Sequence, residues 1–209
     1  MMKGKLIVLE GIDGSGHSTH ALRLKERLER EFEELRGRVV LTREPTDGPV
    51  GALIRSALRK EVKLSPKALA LLFTADRVEH VEEVIMPSLE EGRVVISDRY
   101  YLSTLAYQSA AGLDLGWLLT LNSGLPKPDL TILLDAPAEV CWDRIRSCRT
   151  HLELFEDPAF LEVVRRRFRE VAELLRRRGE RIVIVRTDRS VEEAHEEIFR
   201  AVKAILVGG

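Results

Sequence analysis

The sequence predicts an α/β fold: one domain of three layers, α/β/α, built on a five-stranded parallel sheet. Three observations lead there. Short apolar runs alternate with longer segments whose apolar residues recur at helical spacing. The runs are near-continuous in Val, Ile and Leu instead of alternating with polar residues, the pattern of strands covered on both faces. No internal repeat or low-complexity linker divides the 209 residues, a length that buries a sizeable core without covalent staples.

The elements follow in order. Residues 5–10 form the first strand. Residues 18–35 form a helix, with Ala21, Leu24, Leu28, Phe32 and Leu35 on one face. Residues 38–42 are the second strand. Residues 50–58 and 66–84 are helices, the latter opened by Pro66 after Ser65. The third and fourth strands are 93–97 and 130–134. Phe160, Val164, Phe168, Val171 and Leu175 mark a further helix, 181–185 the fifth strand and 191–206 a last helix. Ligands of such sheets bind outside the carboxyl ends of the strands, so the residues just beyond them are where chemistry belongs.

Composition narrows the function. Lys and Arg number 33 against 34 Asp and Glu, a net charge of −1, which argues against binding nucleic acid through overall charge. Two cysteines, Cys141 and Cys148, are too few for a disulfide framework or a four-cysteine zinc site. The apolar run at the start stops at Glu10, short of a signal-peptide core or a spanning helix, so the expectation is a cytoplasmic protein with no membrane partner. Asn122 is the sole asparagine and Gln108 the sole glutamine, which together with abundant Glu and Arg suggests a thermophilic source or biased codon usage.

The first strand runs into GIDGSGHST, residues 11–19. Strand, glycine-rich loop and helix in succession make a P-loop, in which Gly11, Gly14 and Gly16 allow backbone N–H groups to converge on phosphate oxygens. The helix adds the positive end of its dipole. Gly11, Ile12, Asp13, Gly14, Ser15, Gly16, His17, Ser18 and Thr19 are thus the expected ATP-binding segment, with the Ser18 hydroxyl where a Mg2+ ligand belongs. His17 departs from the pattern, since the position calls for lysine. Histidine is shorter and titratable, and a neighbouring phosphate favours its protonated form. His17 either keeps part of the lysine's catalytic role or leaves a nucleotide-binding protein with little or no turnover. No NKxD motif follows a later strand, which argues against a GTPase.

Four further segments occur in a fixed order: TREP at 42–45, LLFTADR at 71–77, SDRYYLSTLAYQ at 97–108 and GLPKPD at 124–129. With the glycine-rich loop, this set resembles the thymidylate kinases, P-loop enzymes that phosphorylate dTMP with ATP, over residues 6–187. The resemblance implies that Phe73 stacks on thymine and that Arg77, one helical turn on, reaches its exocyclic oxygen. It implies that Arg99 holds the acceptor phosphate and that Asp98 serves the Mg2+ region with Ser18. Ser103, Thr104, Tyr107 and Gln108 fall around base and sugar, Asp13 near the sugar 3′-hydroxyl, and Arg43, Glu44 and Arg55 on the acceptor side. Thr187 and Asp188 fall near adenine. Residues 144–157 correspond to a mobile lid, from which Arg144, Arg146 or Arg149 could reach the transferring phosphoryl group. The family is usually homodimeric. A kinase for another nucleoside monophosphate, or for a deoxynucleoside, is the alternative acceptor class. Cys148 and His151 are three apart with no second pair, so a metal site there is not expected. The arginines of 165–169 and 176–178 are interspersed with Glu162, Glu170 and Glu173 and read as a solvated helix face.

Overall fold

The computed structural model describes residues 3–148, 154–155 and 157–207. Five strands, β1 (Lys5–Gly11), β2 (Val39–Arg43), β3 (Val94–Asp98), β4 (Leu130–Asp135) and β5 (Ile182–Arg186), form one sheet in the order β2-β3-β1-β4-β5, every neighbouring pair parallel. The predicted sheet is present, with ends one residue or so from those expected. Helix α1 (His17–Glu31) and helix α9 (Val191–Val207) cover one face, where Ile7, Leu9, Ile96 and Ile132 pack on Leu24, Leu28, Ile198 and Phe199. Leu6, Val8, Val95 and Leu133 face the other way, onto helices α5 (Tyr101–Ala110) and α8 (Pro158–Arg177). Successive strand residues alternate sides while both sides are buried, so the strands read as unbroken apolar runs. Arg27 ties α1 to α9, donating to Glu196 at 2.7 Å with its guanidinium over the Phe199 ring.

Helix α2 (Pro49–Leu58) and helix α3 (Pro66–His80) lie near the carboxyl edge; the Ser65 hydroxyl caps α3 by accepting from Ala68 N. The predicted helices 18–35 and 66–84 are both interrupted. The first stops at Glu31 because Phe32 is extended, and a single 3-10 turn at Glu33–Leu35 follows. The second passes through a wide π turn at Val81–Ile85 into α4 (Met86–Glu90). Pro87 has no N–H to donate and its ring crowds the carbonyl four residues back, so a regular α-turn cannot run through it undisturbed.

Three further helices lie outside the predicted strands and helices: α5, α6 (Leu115–Leu121) and α7 (Ala138–Cys148), the last burying Ala138, Cys141 and Ile145 at helical spacing. α5 is buried on nearly every side, Thr104, Gln108 and Ser109 included, so it has no polar face to alternate with an apolar one. Among the described residues no helix is long and apolar enough to cross a membrane.

Candidate active site

The carboxyl ends of β1, β3 and β4 lie side by side, with Leu9 opposite Asp98 and Gly11 opposite Leu134. The loop leaving β1 therefore sits directly beside the residues leaving β3. Gly14 has φ +80°, and a Cβ there would come within 2.4 Å of the Cys141 carbonyl, so only glycine lets the loop lie against α7. The first turn of α1, from His17, opens on this loop, and its leading N–H groups have no helical acceptor.

Asp98 and Arg99 are wired into that loop. Ser18 Oγ donates to Asp98 Oδ2 at 2.5 Å, and His17 Nδ1 lies 2.6 Å from Asp98 Oδ1. Burial pushes the Asp98 carboxyl up, but His17, Ser18 and Arg99 outweigh it and hold the group well below the usual carboxylate range. Arg99 donates through Nη1 to Gly11 O and Ser103 Oγ, both at 2.9 Å, and through Nη2 to Asp13 Oδ1 at 2.7 Å and His17 Nε2 at 2.9 Å. His17 thus lies between the Asp98 carboxylate and the Arg99 guanidinium. Arg99 itself has φ +74°, a left-handed backbone for a residue with a side chain, the kind of local strain that clusters at functional positions.

Beside Arg99 opens a pocket lined by Asp13, Phe73, Arg77, Ser103, Thr104, Tyr107 and Gln108, all expected at the acceptor site, and by Pro45, Leu58, Tyr100 and Phe155, which were not. Phe73 is half-buried on a small cluster of Ile54, Ala57 and Leu69, with an edge left to the pocket. Arg77 is 1% exposed. It donates to Glu44 Oε2 at 2.8 Å, Asn122 Oδ1 at 2.7 Å and Thr104 Oγ1 at 3.1 Å, and Glu44 also meets His80 Nδ1 at 3.0 Å. Asp13 accepts from the Tyr107 hydroxyl at 2.8 Å as well as from Arg99. Gln108 is buried, and neither its amide oxygen nor its nitrogen has a hydrogen-bond partner. A buried unsatisfied amide costs about 1–3 kcal/mol, which a ligand in the pocket would relieve. Phe155 packs on Tyr107, ring centroids 5.4 Å apart, so the distal part of the predicted lid reaches the pocket wall.

The other predicted residues are more spread. Arg55 donates to the carbonyls of Pro45 and Thr46 at the rim. Arg43 is exposed, pairs with Asp47 at 2.7 Å and lines a neighbouring cleft that also holds Ser18 and Asp98. Asp188 follows β5 and pairs with Arg186. Of the lid arginines, Arg144 lies in α7, where it donates to Gly14 O at 3.3 Å and to Thr187 O at 2.7 Å and so ties the phosphate loop to the turn after β5. Arg146 is exposed on the same helix, and Arg149 lies outside the described residues, as does His151. The face of α8 expected to be solvated is so only in part, since Arg165 grips Asp135 with two bonds, at 2.7 and 3.1 Å.

Sequence reading missed Glu10, which is fully buried under this site. It accepts from the N–H groups of Tyr100 at 2.9 Å and Ser103 at 3.1 Å and from the Ser103 hydroxyl. Burial raises its carboxyl from 4.5 to about 7, against the opposing pull of Arg99 and these donors. The folded protein thus holds a proton that the unfolded chain has released above about pH 4.5, and the stability Glu10 contributes is complete below that pH and is lost as pH rises through about 7. In urea unfolding across pH 5 to 8, Glu10→Gln is expected to flatten the decline in stability; an unchanged slope contradicts the assignment.

A phosphate loop whose open side continues, across an Asp–Arg pair, into an aromatic and cation-lined pocket defines a P-loop phosphotransferase acting on a small phosphorylated acceptor. Residues 9–198 match the family model described as thymidylate kinase. The chain is 45% identical over 212 residues to a probable thymidylate kinase of Pyrococcus horikoshii, covering 99% of this chain and all of that protein. It is 46% identical over 215 residues to one from Pyrococcus abyssi, with the same coverage. The crystal structure of thymidylate kinase from Ehrlichia chaffeensis superimposes with a TM-score of 0.74 at 28% identity, over 95% of this chain and 98% of that one. The chain belongs to the thymidylate kinase family. Both Pyrococcus relatives come from thermophilic archaea, in keeping with the near-absence of amides.

Proposed function

We propose that the chain transfers the terminal phosphoryl group of ATP to dTMP, giving ADP and dTDP. The observation that carries this reading is the pocket in which Phe73, Arg77 and the unpartnered Gln108 amide stand beside Arg99. An acceptor phosphate oxygen, already anionic at neutral pH, attacks the γ-phosphorus; the bond from that phosphorus to the β–γ bridging oxygen breaks, and its electron pair leaves with ADP. No general base is needed, so catalysis is alignment and charge neutralisation. The residues of 11–19 hold the ATP phosphates. Arg99 orients the acceptor phosphate, with Arg55 and Arg43 further out. Phe73 stacks on the base while Arg77 and Gln108 meet its polar edge, and Asp13 faces the sugar. Asp188 and Thr187 border the adenine.

Ser18 and Asp98 fit Mg2+: two hard oxygens lie side by side at the loop, and the carboxylate is held ionised. The ion, when bound, neutralises charge on the phosphate oxygens. Mg2+ usually takes one or two protein carboxylates and fills its shell with water and phosphate, so a small donor set suffices. A cytoplasmic homodimer is the assembly the family suggests; Leu71 and Val78, exposed and seven residues apart on α3, offer an apolar face for it.

Phe73→Ala is expected to raise the KM for dTMP by the value of one base–aromatic stack, about 1–3 kcal/mol, with the KM for ATP little changed. Steady-state kinetics with each substrate varied checks this, and a variant whose dTMP KM does not move removes Phe73 from the acceptor site.

A further inference from the structure

His80, 3% exposed, stands behind the acceptor pocket and joins two of its neighbours. Its Nδ1 lies 3.0 Å from Glu44 Oε1 and its Nε2 2.7 Å from Thr42 Oγ1. Glu44 gives its other oxygen, Oε2, to Arg77, at 2.8 Å from Nε and 2.7 Å from Nη2. The chain Thr42–His80–Glu44–Arg77 is local in origin. Glu44 extends the ladder of β2 by donating its N–H to Asp98 O at 3.0 Å, so Thr42 and Glu44, two apart, project to one side. Arg77 and His80 are three apart on α3 and share a face. A hydroxyl both donates and accepts, so Thr42 meets the ring nitrogen whether or not it carries a proton, and the chain does not depend on the charge of His80.

Glu44 and Arg77 both line the acceptor pocket. Thymine and uracil carry a carbonyl oxygen at ring position 4, and cytosine carries an amino group there. A guanidinium only donates and meets the carbonyl; a carboxylate accepts and meets the amino group. We propose that His80 is a positioning residue that sets base specificity. It rests on the kinase reading, in which Arg77 meets the exocyclic oxygen of the base. By holding Oε1, His80 keeps the Glu44 carboxylate on Arg77, so that the guanidinium and not the carboxylate is presented to position 4. The site thereby selects a 4-carbonyl over a 4-amino pyrimidine monophosphate. Without His80, Oε1 is a buried acceptor lacking its donor, and an amino group on the ligand supplies one.

Two measurements on the full chain test this. The first is calorimetric titration of dTMP, dCMP and ATP into wild type, His80→Leu, His80→Gln and Thr42→Val. In His80→Leu the preference for dTMP over dCMP is expected to fall about tenfold, the value of one charge-assisted bond, while ATP affinity stays within about threefold. A glutamine amide donates to Glu44 and still meets Thr42, so His80→Gln is expected to keep the preference within about threefold of wild type. Thr42→Val, which removes only the outer partner, is expected to lower it by about threefold, and it decides the matter should the leucine variant not fold. A preference unchanged in His80→Leu and Thr42→Val, or lost equally in His80→Gln, overturns the proposal. The second measurement needs no ligand: solvent exchange of the Arg77 Nε–H, its 15N–1H signal assigned by its loss in Arg77→Met. Exchange is expected to be about tenfold faster in His80→Leu and within about threefold of wild type in His80→Gln. An Arg77 signal that does not respond to His80→Leu overturns the proposal. If wild type binds no dTMP at all, the kinase reading fails, and exchange alone decides whether His80 holds Glu44 on Arg77.

Discussion

Replacing Arg99 lowers kcat/KM for dTMP by at least about a hundredfold, the scale of losing a preorganised charge donor in the transition state. Arg99 leaves the end of β3 directly beside the phosphate loop and presents its guanidinium at the junction of loop and pocket. Its backbone, at φ +74°, suits glycine better than alanine, so Arg99→Gly is the cleaner test. It removes the cation without adding strain, and its unfolding should show no matching loss of stability. Arg99→Lys is expected to restore only a small part of the activity, since one ammonium cannot replace a planar fork that meets Gly11, Ser103 and Asp13 together. Steady-state kinetics on the folded variants decides, and an Arg99→Gly enzyme within threefold of wild type contradicts the assignment.

Arg77→Met is expected to cost stability as well as acceptor binding. The Arg77–Glu44 pair is among the most deeply buried in the molecule, with side-chain exposures of 1% and 3%. Removing one partner of such a pair strands the other charge in the interior, at a cost of about 3–5 kcal/mol. For a chain of this size that corresponds to a fall of roughly 6–20 °C in the unfolding midpoint. The double variant Arg77→Met, Glu44→Gln should recover a substantial part of the loss, because the stranded charge is then gone. Thermal unfolding of the single and double variants is the check. A single variant that melts within 2 °C of wild type, or a double one that melts below the single, contradicts this account.

The sheet was legible because a strand buried on both faces leaves a continuous apolar run, which β1, β3 and β4 supply. The loop was legible because phosphate cradles need glycine at particular places, and at Gly14 the approach of α7 allows nothing larger. α5 was not legible as a helix, since it is enclosed on all sides and its polar residues, Thr104 and Gln108, turn inward toward the pocket. The left-handed backbone of Arg99 and the deep burial of Arg77 depend on tertiary neighbours, which no local pattern encodes. Arg144 reads as a lid arginine by position, yet carbonyls from two separate loops fix it in α7. One signal lay in plain view. The chain keeps one asparagine and one glutamine, and both bear on the acceptor pocket: Gln108 lines it, and Asn122, outside the lining, holds Arg77.

The central claim is that this pocket selects thymidine monophosphate, and the direct test is the rate of ADP release with saturating ATP and each nucleoside monophosphate in turn. The account predicts that dTMP has the highest kcat/KM, with AMP and GMP poor acceptors because Phe73, Arg77 and Gln108 together read a thymine. If AMP or GMP is preferred over dTMP, or if no monophosphate supports turnover, the account is contradicted.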